Sequence, residues 1–449
     1  MEAGLFRFLR FSLGLEGEVK GLLDGRKGAF DWDACYQFAK RQTLVGVLFD
    51  GIQRLPKELA PARPLLLRWL SDSESIRRRN MRMDQASAYV YNKVCAAGFR
   101  CCILKGQGNA LLYPHPSSRI PGDVDVWVMA NREELRHIAL SLTEGDGSSL
   151  QESLNHIGLT VHGVSVELHS TPALLNSPLN NSRLQKWLKR NADLQCSNRI
   201  ALPNNAGEVA VPTLSFNIIY QLCHLFHHCF YEGVGLRQIV DYFFVLMNTD
   251  FSGNTDGVSG NTNCDGFLLN TDYTDYTDRF SGNTDEGCFL LNTDCADFTD
   301  RFSGNTDEGC FLLNTDYTDS TDSSSGGLGE VDSGGALVAL QEELKWLGLW
   351  KFAGAVMYVQ HEALGLSEEK MIVPMDEKRG KLLLAEILNG GNFGKHFAKY
   401  GHFTQQGMAK KYFLKIWRNM HFVRYYPAEA LCEPIFRTWH FSWRLKHRR

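Results

Sequence analysis

Two aspartates separated by one residue, Asp123 and Asp125, are the clearest candidates for chemistry in this 449-residue sequence. They lie in the string DVDVWVM, whose alternation of polar and apolar residues predicts a strand, so both carboxylates leave the same face. Carboxylates held side by side repel each other, and a bound cation commonly offsets that cost. Their hard oxygen atoms suit Mg²⁺ or Mn²⁺, which also bridge to substrate phosphates. The pair therefore predicts a divalent-metal site.

The residues around this pair could complete such a site. FRCCILKG predicts a strand that ends at Gly106 before a short helix, where free backbone N–H groups would point at an anion and Lys105 would add a positive charge. Glu167, in VSVELH, is a candidate third carboxylate that would help to hold a second metal and to deprotonate an attacking hydroxyl. Ser118 and Arg119 lie in the loop before the aspartates, where Arg119 could reach a triphosphate or acceptor, or could only brace the loop.

Each feature also has an ordinary structural explanation. A D-x-D pair is often a solvated turn, Lys-Gly before a helix is often only a turn, and Glu167 could be an exposed strand residue. Along one predicted α/β core, the phosphate-binding turn comes first, the strand with the D-x-D pair comes second, and the strand with the single carboxylate comes third. That combination is much rarer than its parts, and it favours a functional site.

The elements that must position these residues predict an α+β or α/β fold. Residues 1–98 have helical periodicity, with one helix beginning after the N-cap Asp31 and a long helix ending at Gly98. Residues 99–210 alternate strands and helices, including a hairpin that turns at Gly163, and form the predicted α/β core. Residues 211–247 and 336–449 return to helix and form a predicted C-terminal helical domain.

An acidic repeat interrupts this helical domain over residues 248–335. The 17-residue string DRFSGNTDEGCFLLNTD occurs at Asp278–Asp294 and again at Asp300–Asp316. Each unit offers only a Phe-Leu-Leu patch among polar residues, too little apolar area to offset the entropy of ordering. We predict a low-complexity, disordered insertion. The alternative is a metal-binding repeat, but the G-G-x-G-x-D spacing of calcium-binding repeats is missing.

Charge is distributed unevenly along the chain. The insertion contains fifteen Asp and three Glu but only two Arg, which gives a net charge of −16. Because the whole chain carries −4, the remainder carries +12 and is basic. A basic body suits a protein that handles phosphates or nucleic acid, although surface lysines that keep a protein soluble produce the same balance.

The composition also bears on location. No apolar run reaches the ~20 residues needed to span a bilayer, and the N-terminus lacks the apolar segment and cleavage site of a signal peptide. We therefore expect a cytoplasmic protein without a membrane span. The twelve cysteines fit that expectation as reduced thiols, and they show no paired CxxC motifs for zinc.

The string LKGQGNALLYPHPSSRIPGDVDVWV resembles the signature of an uncharacterised bacterial nucleotidyltransferase family, common in Bacteroidetes, of the DNA polymerase beta-like nucleotidyltransferase superfamily. Weaker similarity continues through VELH, LCHLFHHCFYEGVGLRQIVDYFF, LKWLGLWKFAGAV and ILNGGNFG, so it covers the chain except the repeat. The resemblance places Lys105-Gly106 at the glycine-turn motif, Asp123 and Asp125 at the metal pair, and Glu167 at the third acidic position. The chain departs from the superfamily in having Lys-Gly for Gly-Ser, a long spacing to the aspartates, and Glu for the frequent Asp.

The resemblance implies a metal-dependent enzyme with a small polymerase-beta-like core. Such an enzyme transfers a nucleoside monophosphate from a nucleoside triphosphate to an acceptor hydroxyl and releases pyrophosphate. Mg²⁺ or Mn²⁺ would be the cofactor, and Lys105, Gly106, Ser118 and Arg119 would bind the nucleotide. The sequence does not identify the acceptor. The alternatives are a non-catalytic nucleotide-binding protein, or a regulator that binds nucleic acid through its basic tail.

Three further features allow more than one interpretation. His224 and His228 are spaced like a metalloprotease pair but lack the HExxH glutamate, so we expect a structural or substrate-lining role. Arg237 and Asp241, also four residues apart, predict a helix-surface or interdomain ion pair. The tail, residues 410–449, has ten Lys/Arg with interleaved aromatics. These aromatics could touch nucleic acid or an anionic membrane, although packing on the body is the favoured interpretation.

Overall fold

Five short strands form the mixed sheet that carries the predicted site residues. They are β1 (Cys101–Leu104), β2 (Val124–Val128), β3 (Gln151–Glu152), β4 (His156–Val161) and β5 (Val164–His169). Their spatial order is β1-β2-β5-β4-β3. β2 and β5 run parallel, whereas the other neighbouring pairs are antiparallel. The strands predicted in FRCCILKG, DVDVWVM and VSVELH are thereby confirmed.

The computed structural model describes residues 2–18, 30–143, 150–249, 335–394 and 408–447. All of them belong to one folded unit, made of Met1–Gly253 and Asp332–Arg449. The predicted repeat insertion lies outside the described residues from residue 250 to residue 334. The domain boundaries expected at residues 98 and 210 stay predictions.

Two turns show how local sequence sets the connections. His162 and Gly163 join β4 to β5 with φ values of 50° and 75°, the pair of positive angles that a tight type I′ hairpin requires. The predicted turn at Gly163 is confirmed. Thr43, at φ 55°, ends a helix in the left-handed conformation, so the apolar stretch after Asp31 forms two helices rather than one.

Helices occupy most of the N-terminal region, as predicted. They are α1 (Glu2–Ser12), α2 (Trp32–Gln42), α3 (Val45–Gln53) and α4 (Arg63–Ala96). Asp31 caps α2 by accepting a hydrogen bond from the Ala34 N–H at 2.9 Å, which satisfies one of the free donors at the helix start. α4 ends just before Gly98, whose φ of 86° cannot continue a helix.

The remaining elements surround the sheet and continue to the C-terminus. α5 (Gly106–Ala110) follows β1, and α6 (Arg132–Leu142) follows β2. After β5 the chain forms α7 (Pro178–Ser197) and a hairpin of β6 (Arg199–Leu202) and β7 (Gly207–Ala210). Two further helices follow, α8 (Leu214–Tyr231) and α9 (Leu236–Met247). The C-terminal helices are α10 (Gly335–Trp346), α11 (Trp350–Leu364), α12 (Glu377–Gly390), α13 (Met408–Met420) and α14 (Pro427–His447). The chain therefore has a mixed α+β fold with a small sheet.

β2 lies in the interior of this fold. All five of its residues are buried, because β1 and β5 flank it and helices cover the sheet. α4 and α6 pack against the strands. α8 contacts them where Phe216 stacks on Trp127, with ring centroids 5.9 Å apart. The aspartates thus sit at the start of a rigid strand rather than on an exposed loop.

Two further predictions concern the surface. None of the helices in the described ranges combines the length and apolar character that crossing a bilayer requires. All cysteines in those ranges carry free thiols. In the tail, Phe422 is buried as the packing interpretation expects, but Trp417 and Trp439 are exposed.

Candidate active site

Asp123, Asp125 and Glu167, which we call the acid cluster, meet where β2 and β5 run side by side. The parallel register places Asp125 directly opposite Glu167, and Asp123 immediately precedes β2. One ligand atom from each residue lies within 4.8 Å of the others. The structure therefore brings together the three acidic residues that the sequence singled out, at separations that a shared cation could bridge.

Lys105 and His169 balance part of the negative charge of the acid cluster. Lys105 Nζ lies 2.9 Å from Asp125 Oδ2, and His169 Nε2 lies 2.9 Å from Asp125 Oδ1 and 3.3 Å from Glu167 Oε2. Burial would raise the pKa of Asp125, but Lys105 and His169 outweigh it and hold that pKa below its usual range. Burial would lower the pKa of His169, yet hydrogen bonds to both carboxylates raise it to about 9. His169 is therefore an imidazolium at neutral pH.

The negative charge of Asp123 is less well balanced by nearby positive charge than that of Asp125. The neighbouring charge of Asp125, followed by burial, raises the pKa of Asp123 above its usual range. Three carboxylates thus face one ammonium and one imidazolium, and the acid cluster keeps an excess of negative charge. A cation among these oxygens would relieve the repulsion. Because all three donors are hard carboxylate oxygens, the acid cluster fits Mg²⁺ or Mn²⁺.

A second group of possible metal ligands shares Glu167. His156 Nε2 lies 3.7 Å from Glu167 Oε1, and ligand atoms of His156, Glu167 and His169 lie within 4.8 Å of one another. Since Asp125 and Glu167 hold His169 as an imidazolium, this ring would have to lose its proton before it could bind a metal. The carboxylate set is therefore the better match for a hard cation.

The Lys105-Gly106 turn lies against the acid cluster because β1 pairs with β2. Their register sets Leu104 opposite Asp125, so Lys105 follows directly beside the aspartates. Lys105 has φ 50° and ψ −124°, and Gly106 has φ 33°. Such angles are costly for a residue with a side chain, and strain of this kind concentrates at functional sites. A Cβ on Gly106 would lie 3.7 Å from the carbonyl oxygen of Asp123, so the turn and the aspartates are immediate neighbours.

One face of α8 forms a wall of the site. Phe216, Tyr220, His224 and His228 follow at four-residue spacing, with successive ring centroids 5.7, 6.3 and 4.2 Å apart. His224 Nε2 lies 3.3 Å from Lys105 Nζ. Burial, followed by the charge of Lys105, lowers the pKa of His224 well below its usual value. The neutral ring therefore accepts a hydrogen bond from the ammonium, in agreement with the lining role expected from the sequence.

Arg119, Arg237 and Asp241 form a second charged group, which we call the guanidinium cluster. Arg119 is 3% exposed, and its Nε and Nη2 donate to the two oxygens of Asp241 at 2.7 and 2.8 Å. Tyr113 donates to the same carboxylate at 2.7 Å. Arg237, 8% exposed, donates to the carbonyl oxygen of Ile120 at 2.8 Å. The predicted helix-surface or interdomain ion pair of Arg237 with Asp241 is wrong, since both side chains are buried and Asp241 pairs with Arg119 instead.

The carboxylate of Asp241 is thus the negative charge that lies near both guanidinium groups. Asp241 outweighs burial and holds the pKa of Arg119 above its usual range, whereas burial and the charge of Arg119 lower the pKa of Arg237. Arg119 Nη1 and Arg237 Nε are buried and find no hydrogen-bond partner among the described residues. A buried donor without a partner costs about 1–3 kcal/mol. An anion beside these nitrogens would therefore be stabilised.

A cavity of about 360 Å³, the polar cavity, connects the two clusters. Its lining contains all three residues of the acid cluster and all three of the guanidinium cluster, together with Lys105 and Gly106. A volume of this order is typical of small-molecule sites. A ligand here would meet both the excess negative charge of the acid cluster and the excess positive charge of the guanidinium cluster, as a metal-bound polyphosphate would require.

Ser118 stands apart from the other residues that the sequence assigned to nucleotide binding. Its hydroxyl donates to Asp50 Oδ1 at 2.8 Å, and Ser118 is not among the residues that line the polar cavity. Burial raises the pKa of Asp50 to about 7, so this hydrogen bond satisfies a carboxyl group inside the helical region. Arg119, the next residue, does reach the cavity, and its bond to Asp241 also braces the loop.

A larger cavity of about 940 Å³ adjoins the acid cluster on its other side. Both cavities are lined by Lys105, Asp125, His156 and Glu167. The walls of the larger cavity come from the segment after β5, from α8, and from the C-terminal helices α13 and α14. Residues of the acid cluster therefore face two connected spaces of different size.

Among the residues of the site that were not recognised from the sequence are His156, His169 and Arg237. His169 could have been found, because it lies two residues after Glu167 on a strand and must share its face. Arg237 was predicted to form an ion pair with Asp241 because the two residues are four positions apart on a helix. Its place beside Arg119 depends on contacts between segments more than a hundred residues apart, for which the sequence carries no local signal.

Comparisons with known proteins bear on these observations. A family model described as "Uncharacterised nucleotidyltransferase" matches residues 28–260, slightly more than half of the chain, and the chain belongs to this family. A solved crystal structure, of an antigenic nucleotidyltransferase-like protein from Paracoccidioides brasiliensis, is 16% identical. It matches over 37% of this chain and 75% of its own, with a TM-score of 0.25. No curated protein matches the chain significantly.

Proposed function

We propose that this member of the uncharacterised nucleotidyltransferase family transfers a nucleoside monophosphate from a nucleoside triphosphate to an acceptor hydroxyl. The observation that carries the proposal is the polar cavity, whose lining contains both the acid cluster and the guanidinium cluster. The family assignment supports a general role in nucleotidyl transfer. Membership of the DNA polymerase beta-like superfamily, a bacterial origin and a cytoplasmic location are parts of the proposal.

Asp123, Asp125 and Glu167 would hold Mg²⁺ or Mn²⁺. When bound, such a cation would neutralise phosphate charge and lower the pKa of the acceptor hydroxyl. Lys105, 2.9 Å from Asp125 Oδ2, lies close enough to the carboxylates to reach a phosphate oxygen bound beside them. Glu167 stands where the two cavities meet, so it can take the proton that the acceptor hydroxyl loses.

The guanidinium cluster and the Lys105-Gly106 turn would bind the triphosphate. Arg119 and Arg237 line the polar cavity, so their positive charge would attract its oxygens, and Asp241 fixes the plane of Arg119 through two hydrogen bonds. The acceptor oxygen attacks the α-phosphorus, and the bond from that phosphorus to the β-phosphate oxygen breaks as pyrophosphate leaves. Positive charge fixed around the leaving pyrophosphate stabilises the transition state.

The test is transfer of label from a triphosphate to any acceptor in a cell extract, with Mg²⁺ present. Label placed at the α-phosphorus should be transferred, whereas label at the γ-phosphorus should leave with pyrophosphate. Asp123→Asn should reduce transfer by about a hundred- to a thousandfold, a loss of the size seen when one group that stabilises the transition state is removed. Asp33→Asn is the matched control, because Asp33 is exposed in the first turn of α2.

Two results would contradict the proposal. Undiminished α-label transfer by Asp123→Asn would remove the aspartate from the assigned site. Metal-dependent binding of a non-hydrolysable triphosphate by the wild type, with no transfer to any fraction, would assign the chain to the alternative class of non-catalytic nucleotide-binding proteins. Steeply salt-dependent nucleic-acid binding that survives Asp123→Asn would instead indicate the regulatory alternative.

A further inference from the structure

We infer that the larger cavity is the acceptor subsite, and that the acceptor is a hydroxyl-bearing small molecule with an apolar or aromatic body. The inference rests on the proposed function, because it assigns the second substrate of the same site. It separates small-molecule acceptors from nucleic acids and proteins, which the sequence leaves open.

The position of the larger cavity is the first argument. It shares Asp125, His156 and Glu167 with the polar cavity, so two residues of the acid cluster line both spaces. A molecule held there can present a hydroxyl to a triphosphate that lies in the polar cavity. Orienting two substrates toward one reacting centre in this way is a major source of rate enhancement.

The chemistry of the walls is the second argument. Leu154, Pro172, Leu174, Tyr231 and Phe436 give the cavity an apolar and aromatic lining. His227 also lines it, with its ring stacked on Tyr231 at 4.1 Å. These surfaces would bury an apolar ring or alkyl body, and they offer little to a strongly hydrated ligand.

The charges on the walls are the third argument. Arg437 pairs with Glu433, and its guanidinium lies 4.7 Å from the centre of the Tyr231 ring. Glu232 and Lys415 both line the cavity, and His228 and Lys415 outweigh the burial of Glu232 and lower its pKa to about 2. Lys105, Lys415 and Arg437 therefore each lie near a carboxylate. Nucleic-acid sites instead need basic charge that is left for phosphates to neutralise.

The volume of the larger cavity is also that of a small-molecule site. A volume of about 940 Å³ lies in the range of pockets that enclose most of the surface of a small ligand, roughly 300–1,000 Å³. Asp125 and Glu167 line this space, and residues of α14 also contribute to its wall. A small molecule of this size can fill the space and present a hydroxyl at Asp125 and Glu167, whereas a macromolecule would have to insert a terminus or a side chain into it. The volume therefore favours a small-molecule acceptor.

The experiment uses two substitutions in the full-length protein, each of which fills the larger cavity with a bulky side chain from a different wall. Leu174→Trp and Thr438→Trp would place an indole ring into the space from the β5–α7 segment and from α14, respectively. Leu179→Trp is the matched control, because Leu179 is 61% exposed on α7 and does not line the cavity. Each variant is incubated with Mg²⁺, α-labelled triphosphate and a cell extract divided by ultrafiltration into small-molecule and macromolecular fractions.

The expected labelled product is in the small-molecule fraction. Both filling variants should lower its yield roughly a hundredfold, since misplacing an acceptor by about 1 Å can cost that much. Binding of a non-hydrolysable triphosphate, which uses the polar cavity, should stay within about twofold of wild type, and the same measurement shows that each variant is folded. Leu179→Trp should label as the wild type does.

Two results overturn the inference and leave the proposed function intact. One is label that appears only in protein or nucleic acid. The other is wild-type yield of the small product from both filling variants. If the wild type neither binds triphosphate with Mg²⁺ nor transfers label to either fraction, the proposed function fails and this inference fails with it.

Discussion

The acid cluster and the guanidinium cluster face each other across the polar cavity, and they are imbalanced in opposite directions. In the acid cluster, three carboxylates exceed the charge of Lys105 and His169. In the guanidinium cluster, two arginines share Asp241. Unbalanced buried charge is costly in a folded protein. Both clusters are therefore better explained by a ligand that carries a cation at one end and phosphate oxygens at the other than by stability alone.

The largest expected effect on stability comes from breaking the guanidinium cluster. Asp241→Asn would leave Arg119 and Arg237 buried with no carboxylate between them. Removing one partner of a buried ion pair costs about 3–5 kcal/mol. Chemical denaturation at neutral pH should show a loss of this size, and an unchanged midpoint would mean that the arginines are not held as the structure places them.

The pH dependence of the same variant sharpens this test. Arg119 lowers the pKa of Asp241 against the effect of burial, so the pair stabilises the fold above the ordinary aspartate pKa of about 4. That contribution is lost only as the pH falls through the lower pKa of the folded state. The stability difference between wild type and Asp241→Asn should therefore be constant near neutral pH and shrink in strong acid.

Replacing each of the two aspartates of the acid cluster should change the stability of the fold in opposite directions. Without divalent metal, Asp125→Asn removes the acceptor that Lys105 and His169 share, and it should destabilise the fold by about 1.5–3 kcal/mol. Asp123→Asn should raise stability, because the raised pKa of Asp123 shows that its ionised form is disfavoured. Thermal unfolding in EDTA measures both, and equal shifts of the same sign would contradict the assigned imbalance.

Arg237 should affect nucleotide binding more than stability. Arg237→Gln removes charged hydrogen bonds to the triphosphate, and it should weaken binding about ten- to a hundredfold. Arg77→Gln is the matched control, since Arg77 forms an exposed pair with Glu74 that contributes little. Calorimetric titration with a non-hydrolysable triphosphate and Mg²⁺ measures the difference. Equal affinities in the two variants would remove Arg237 from the phosphate subsite.

The smallest expected effect is that of Ser118. Ser118→Ala removes the hydrogen bond to Asp50 and should destabilise the fold by about 1 kcal/mol, visible as a small shift in thermal unfolding. Triphosphate affinity should not change, because Ser118 does not line the polar cavity. A tenfold loss of affinity would restore the direct role that the sequence suggested.

The difference between the clusters also explains what could be predicted from sequence. Asp123 and Asp125 lie in one alternating string, DVDVWVM, and Glu167 lies on another strand with a clear period of two, so each could be recognised from its neighbours. The strands, the Gly163 hairpin and the long helix ending at Gly98 follow from similarly local signals. The parallel pairing of β2 with β5 then brings the three carboxylates together.

The guanidinium cluster could not be predicted in the same way. Arg119 and Asp241 are 122 residues apart in the chain, and the helical spacing of Arg237 and Asp241 suggested a different pair. The larger cavity is built from β5, α8 and α14 together, so neither its size nor its apolar lining has a local signature. Contacts of this kind depend on how the helices pack, which a single sequence does not reveal.

The most direct test of the central claim is the metal dependence of triphosphate binding to wild-type protein and to Asp123→Asn. The acid cluster should bind the phosphates through a cation, so the wild type should bind a non-hydrolysable triphosphate tightly with Mg²⁺ and weakly in EDTA. Asp123→Asn should bind it weakly in both conditions. Equal wild-type affinity with and without divalent metal would contradict the account.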